Sequence, residues 1–149
     1  MKNFFFLILG FVVIFGSVFL FFERTLVEEN EKKIIKINDT SIKVDVADTP
    51  ETRTMGLSGR ETLPEGTGML FIFDSPVQDG FWMKDMSFAI DIVWIDEKSR
   101  IVGIEHEVTP ETFPQVFYPN QPVKYVLELP ARYINQHHID IGAVVQWFD

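Results

Sequence analysis

The chain has 149 residues, which allows one domain of ordinary size and an appendage. Acidic residues outnumber basic ones 22 to 13 and no basic stripe offsets them, which argues against nucleic acid as a partner and against adsorption to anionic lipid by charge. There is no cysteine, so disulfides, thiol nucleophiles and thiolate metal sites are excluded.

Phe4 to Phe22 is a run of 19 residues without a charge. At the helical rise of ~1.5 Å per residue it spans about 28 Å, close to the ~30 Å hydrocarbon core of a bilayer. The run is apolar all round rather than striped, unlike a core helix. It passes straight into Phe21-Phe22-Glu23-Arg24 with no small-residue cleavage site, so residues 1–22 read as an uncleaved signal anchor. Lys2 and the α-amino group favour a cytoplasmic N-terminus, which puts the rest of the chain on the extracytoplasmic side of the cell membrane. The expected partner of Phe4–Phe22 is the lipid bilayer. Residues 23–33, with Glu28-Glu29-Asn30-Glu31-Lys32-Lys33, read as a solvated tether, and residues 34–149 as the folded domain.

In that domain Ile34–Ile37 and Ile42–Val46 flank Asn38-Asp39-Thr40-Ser41 and predict a hairpin. Asp48-Thr49-Pro50-Glu51 carries the cap, the first-turn proline and the acid of a helix start, and Ser58-Gly59 stops the helix near Leu57. Arg53 and Leu57 share a face, so Arg53 is expected to lean over the core. Met69–Phe73 reads as a buried strand ended by Asp74-Ser75-Pro76, and Phe81–Met83 as a short strand. Phe88–Ile95 alternates, with Ala89, Asp91, Val93 and Ile95 on one face. Arg100–Val108 is the next strand, with His106 turned inward beside Val102, Ile104 and Val108. Residues 109–122 form a proline-rich loop bearing Phe113, Phe117 and Tyr118. Lys124–Leu129, a short helix over Ala131–His137 and a closing strand over Ala143–Phe148 complete the chain. The expected fold is mainly β: a compact sandwich or small barrel of seven to eight short strands with one or two short helices, preceded by a transmembrane helix.

Several runs carry a family pattern. They are Ala47-Asp48-Thr49-Pro50, Arg53, Gly56-Leu57, Arg60, Leu63, Gly68-Met69-Leu70-Phe71, Phe81-Trp82-Met83-Lys84, Asp91-Ile92, Ile95-Asp96 and Val126-Leu127-Glu128-Leu129. In order and spacing the chain resembles, over about Ile42 to Val145, the uncharacterised ancient conserved region family, domain of unknown function 192. The resemblance implies a compact, mainly β fold, often with an export signal or membrane anchor, and it carries over no catalytic residue. This chain departs from the pattern in five places. Thr52 stands where an acid is usual, Ser58 where a methionine is, and Asp85-Met86 where Asn-Thr is common. Ala89 replaces a frequent proline, and Arg132 a frequent glycine.

The residues that stand out chemically are Arg53, Arg60, Trp82, Lys84 and Asp91. Asp91 is an acid on an apolar face, and a buried carboxyl needs partners, for which Lys84, Arg53 and Arg60 are the available cations. Such a cluster is either a ligand site with Trp82 as a platform or an ion pair that holds helix and loop to the sheet. Glu105-His106-Glu107 resembles a metal motif, but on a strand the histidine faces away from both acids, and neither a metal nor a cofactor is expected. Asp91, Asp96, Glu105 and Glu128 offer carboxyl pairs for glycoside cleavage, without a spacing that selects one. The expected function is binding of a small polar, anionic or sugar-like ligand. The alternatives are an envelope hydrolase with Asp91 as acid or base, and a module that docks a membrane protein through the 109–122 loop.

Overall fold

The computed structural model describes residues 32–148, and within them no helix is long and apolar enough to cross a membrane. The expected anchor over Phe4–Phe22 and nearly all of the tether lie outside the described residues.

β1 (Lys32–Ile37) and β2 (Thr40–Ala47) form the expected hairpin, with Ile35 opposite Ile42. Asn38 sits in the turn at φ 54, a left-handed conformation that asparagine tolerates better than most residues. α1 (Pro50–Met55) starts as the sequence predicts. The Thr49 hydroxyl accepts from the Thr52 N–H, and the Thr52 hydroxyl accepts from the Thr49 N–H in return. Thr52 thus closes a capping box. Gly56, at φ 51, ends the helix, and Leu57 follows it into the core.

α1 is the crossover that lets β3 (Thr67–Val77) lie parallel to β2. β3 runs through Asp74-Ser75-Pro76 rather than stopping there. Its register against β8 (Val123–Pro130) shifts between Ile72 and Val77, so Pro76 falls where the ladder is already interrupted. The remaining elements are β4 (Phe81–Trp82), β5 (Ile90–Ile95), β6 (Ile101–Val108), β7 (Val116–Phe117), α2 (Tyr133–Gln136) and β9 (Val145–Phe148). The fold is mainly β, with nine strands and few short helices among the described residues. Seven strands make one curled half-barrel sheet in the order β6-β5-β8-β3-β2-β1-β9, while β4 and β7 form a separate two-stranded flap. A bridge between Arg100 and Val144 ties the segment before β6 to the segment before β9, which bends the two ends of the sheet toward each other.

The two faces of the sheet carry separate cores. One holds Ile35, Val44, Leu70, Val93 and Leu127 and is closed by Tyr133 and Ile134 of α2. The other holds Phe71, Ile92, Trp94 and Val126 and takes Leu57 and Met83 from the loops. β6 corrects one expectation. Ile92 faces Glu105 and Ile90 faces Val108, so β6 has one residue more than β5 over this stretch, and Glu107 takes φ 48. A one-residue bulge flips every later side chain to the other face. His106 is therefore exposed rather than inward, and Val108 joins the second core while Ile104 stays against the first.

Candidate functional site

The second face is not fully covered. α1 with the turn after it, the sheet, and the β4–β7 flap enclose a concave pocket of about 430 Å³, within the range of small-molecule sites. Phe71 and Phe73 form its sheet wall, and Phe81 and Trp82 its flap wall. The Phe81 ring meets Phe71 edge-on at 4.9 Å and Trp94 at 5.4 Å, so the flap is seated on core aromatics. Trp82, on the same short strand, is 52 % exposed, since alternation turns it away from the sheet. Gly80 lines the pocket beneath Val116 and Tyr118, and a Cβ there would meet both side chains.

Glu128 lines the bottom of this pocket. Alternation along β8 puts it on the face of Val126, between Met69 of β3 and Ile92 of β5. It is 5 % exposed, and its Oε2 has no hydrogen-bond partner among the described residues. Burial pushes the carboxyl up to about 8, with the Arg60 charge pulling the other way. At neutral pH Glu128 is therefore a neutral acid, with an O–H to donate and oxygen lone pairs to accept. The other buried side-chain polar atom without a partner among the described residues, Trp94 Nε1, belongs to the same face. Unpaired buried polar atoms are rare, and of the two it is Glu128 Oε2 that belongs to a residue lining the pocket.

The five residues marked by sequence fall into three places. Arg53 and Trp82 line the pocket. Arg53 Nη1 donates to the carbonyls of Asp48 (2.6 Å) and Ile72 (2.7 Å), and its guanidinium lies 5.2 Å from the centre of the Phe73 ring. It leans over the core as expected, and its Nη1 pins α1 to β3. Arg60 binds Asp45 at 2.8 Å and lies one step outside the pocket, in a smaller cleft of about 130 Å³ with Lys32 and Lys43. Lys84 is exposed and forms no ion pair among the described residues. Its carbonyl accepts from the Ser58 hydroxyl, which ties the turn after α1 to the flap.

Asp91 is elsewhere. It is fully buried on the first face, with Val93 and Ile95, as alternation predicts. Its partners are not cations. Oδ1 accepts from the N–H of Glu107 at 2.9 Å and Oδ2 from the N–H of Ile134 at 3.0 Å. One carboxyl thereby satisfies the bulge of β6 and the start of α2, two backbone donors that would otherwise be stranded. The expected cluster of Asp91 with Lys84, Arg53 or Arg60 does not form, because Asp91 and the pocket lie on opposite faces of the sheet.

Two departures from the family pattern have a backbone reason. Arg132 adopts φ 71 at the entry to α2, a conformation that explains why glycine is common there. Asp85 at φ 56 occupies a site that suits asparagine or aspartate.

Comparison with known proteins bears on the family and the fold. The family model described as uncharacterised ACR, domain of unknown function 192, matches residues 33–147. The chain belongs to that family. A UPF0127 protein of Pyrococcus abyssi (strain GE5 / Orsay) is 26 % identical over 124 residues, covering 79 % of this chain and 94 % of the relative. A crystal structure from Sinorhizobium meliloti 1021, of a protein described as a candidate transcription regulator, superposes with TM-score 0.75 at 24 % identity. It covers 79 % of this chain and 95 % of that one. A protein of unknown function from Novosphingobium aromaticivorans DSM 12444 gives TM-score 0.76 at 22 % identity, over 82 % of this chain and 89 % of that one. At such identity the two structures share the fold with this member of the family and no more.

Proposed function

We propose that the domain binds a small, polar, sugar-like ligand in the pocket beneath Trp82, and that residues 1–22 anchor it to the membrane with the domain extracytoplasmic. The observation that carries the reading is Glu128: an unpaired buried carboxyl at the bottom of a concave, aromatic-walled pocket. A ligand with an apolar face suits the rings of Phe71, Phe81 and Trp82, and a hydroxyl at its buried end suits a group that both donates and accepts. A purely anionic ligand suits the pocket less. Arg53 commits one guanidinium nitrogen to two carbonyls, Arg60 is paired with Asp45, and Lys84 is exposed outside the pocket lining. The hydrolase reading with Asp91 as acid or base loses its support, since both oxygens of that carboxyl are held by backbone amides away from the pocket. The transcription-regulator description of the Sinorhizobium protein does not lead us to propose nucleic acid as a ligand here, since a chain with 22 acidic and 13 basic residues suits it poorly.

The test is a thermal-shift screen of sugars and polyols on the detergent-solubilised full chain, beside Trp82→Ala. A ligand raises the melting temperature by mass action. Trp82 is half exposed, so its loss costs about 1–3 kcal/mol, less than the stability of an ordinary domain. The expected result is a ligand-dependent shift that Trp82→Ala abolishes while folding normally. Retention of the full shift by Trp82→Ala would contradict the assignment of this pocket. Fractionation of cells expressing residues 23–149 tests the anchor, which predicts release from the membrane fraction.

A further inference from the structure

We infer that the ligand of this pocket carries a protonated amine, seated between the Glu128 carboxyl and the aromatic rings of the flap. The inference rests on the ligand-binding reading above and narrows it to one chemical class. Three features of the pocket point to a cation. Its lining carries one fully buried side-chain atom without a partner among the described residues, Oε2 of the Glu128 carboxyl, and a second acid, Asp79, lines it from the segment before the flap. Its walls include the rings of Phe71, Phe81 and Trp82, and aromatic rings attract organic cations through their quadrupole. The cation that lines it among the described residues, Arg53, is oriented by two carbonyls and the Phe73 ring. An ammonium would find an acid without a rival cation bonded to it. Arg60, the positive charge felt by Glu128, is already paired with Asp45.

The charged groups around Glu128 can be taken element by element. β3 and β5 present the apolar Met69 and Ile92, β2 presents Asp45 with its partner Arg60, α1 presents Arg53, and the segment before β4 presents Asp79. None of them is hydrogen-bonded to the Glu128 Oε2. The empty site holds a neutral carboxyl below about pH 8. Seating R–NH3+ against it converts COOH to COO− and releases the carboxyl proton to solvent, while the ligand keeps its charge. A neutral sugar releases no proton.

The experiment is titration calorimetry on the detergent-solubilised full chain at pH 7, in two buffers of different ionisation enthalpy, so that protons released per ligand are counted. The titrants are glucosamine, n-butylamine, N-acetylglucosamine and glucose, up to about 10 mM, the range in which weak specific sites are seen. The inference predicts binding of at least one amine with close to one proton released, at least tenfold weaker binding of the acetylated sugar and of glucose, and a tenfold or greater loss of amine affinity in Glu128→Gln. Equal binding of glucosamine, N-acetylglucosamine and glucose without proton release overturns the amine inference and leaves the ligand-binding reading in place. Failure of both amines to bind overturns the inference whatever glucose does, and failure of all four titrants also counts against the broader reading. Glu128→Gln keeps the shape and removes the ability to ionise, so a folded variant that still binds glucosamine with unchanged affinity is a further contradiction.

Discussion

Asp91 and Glu128 lie one residue out of step on neighbouring strands, since Ile92 is the register partner of Glu128 and Asp91 that of Leu129. Both are acids and both are buried, yet they do opposite things. Asp91 faces the closed core and spends its two oxygens on two backbone N–H groups. Glu128 faces the open core, leaves one oxygen without a partner among the described residues and titrates near 8. The difference shows that burial alone does not mark a functional acid. What separates scaffold from site is whether the protein has already supplied the partners.

Exchanging each acid for its amide should therefore split the pair, and Asp91→Asn has the largest expected effect. Its single acceptor oxygen cannot serve both donors, and its NH2 would confront one of them. Stranding a buried donor costs about 1–3 kcal/mol, and with the misplaced NH2 the loss is roughly 2–5 kcal/mol by denaturant unfolding. Hydrogen exchange at Glu107 and Ile134 should rise with it. An Asp91→Asn variant as stable as the parent would remove the scaffold role of this residue.

Glu128→Gln should act in the opposite direction. The folded state keeps the Glu128 proton up to about 8, whereas an unfolded chain gives it up near 4.5. Between those values the folded state binds more protons, so this group lowers stability as pH rises, by about 1.4 kcal/mol per unit. Its destabilising share reaches roughly 3 kcal/mol at pH 7 and is complete above about pH 8. Glutamine has no such term. The variant should be more stable than the parent at pH 7 and about equal to it at pH 4, as read from melts across that window. A parent whose stability does not depend on Glu128 over pH 5 to 8 would break the contrast.

The smallest effect concerns the helix that Asp91 holds. Arg132 bears a left-handed conformation costing about 1–2 kcal/mol for a residue with a side chain. Its salt bridge to Glu107 is largely exposed and worth little. Arg132→Gly relieves that strain but enlarges the entropy of the unfolded chain, for a net gain of under about 1 kcal/mol. A loss of stability instead would mean that the exposed ion pair outweighs the backbone.

What can be read in the sequence follows the range over which each signal acts. The hairpin around Asn38, the cap of α1 at Thr49 and the face of Asp91 are local, and all three are legible from spacing and alternation. The partners of Asp91 are not, because the N–H groups of Glu107 and Ile134 come from 16 and 43 residues away, and backbone donors have no sequence signature. The bulge in β6 is hidden for the same reason. Glu105-His106-Glu107 continues an unbroken alternation on paper, and only the pairing with β5 exposes the extra residue. β3 reads too short because Pro76 looks like a breaker, whereas a shifted register accommodates it. Glu128 is readable in part. An acid inside Lys124-Tyr125-Val126-Leu127-Glu128-Leu129, on the face of Val126, is the same anomaly that draws attention to Asp91. Membership of the pocket depends on α1 and the flap, which no strand pattern announces.

The most direct test of the contrast is a carbon-13 NMR titration of the side-chain carboxyl of Glu128 in the full chain, from pH 4 to 10, with and without glucosamine. The account predicts a midpoint near 8 in the free protein that falls when the amine is added, as an ammonium takes the place of the proton. A midpoint in the ordinary carboxyl range in the free protein would contradict it, because Glu128 would then be a solvated acid and the pocket would have no neutral carboxyl to offer.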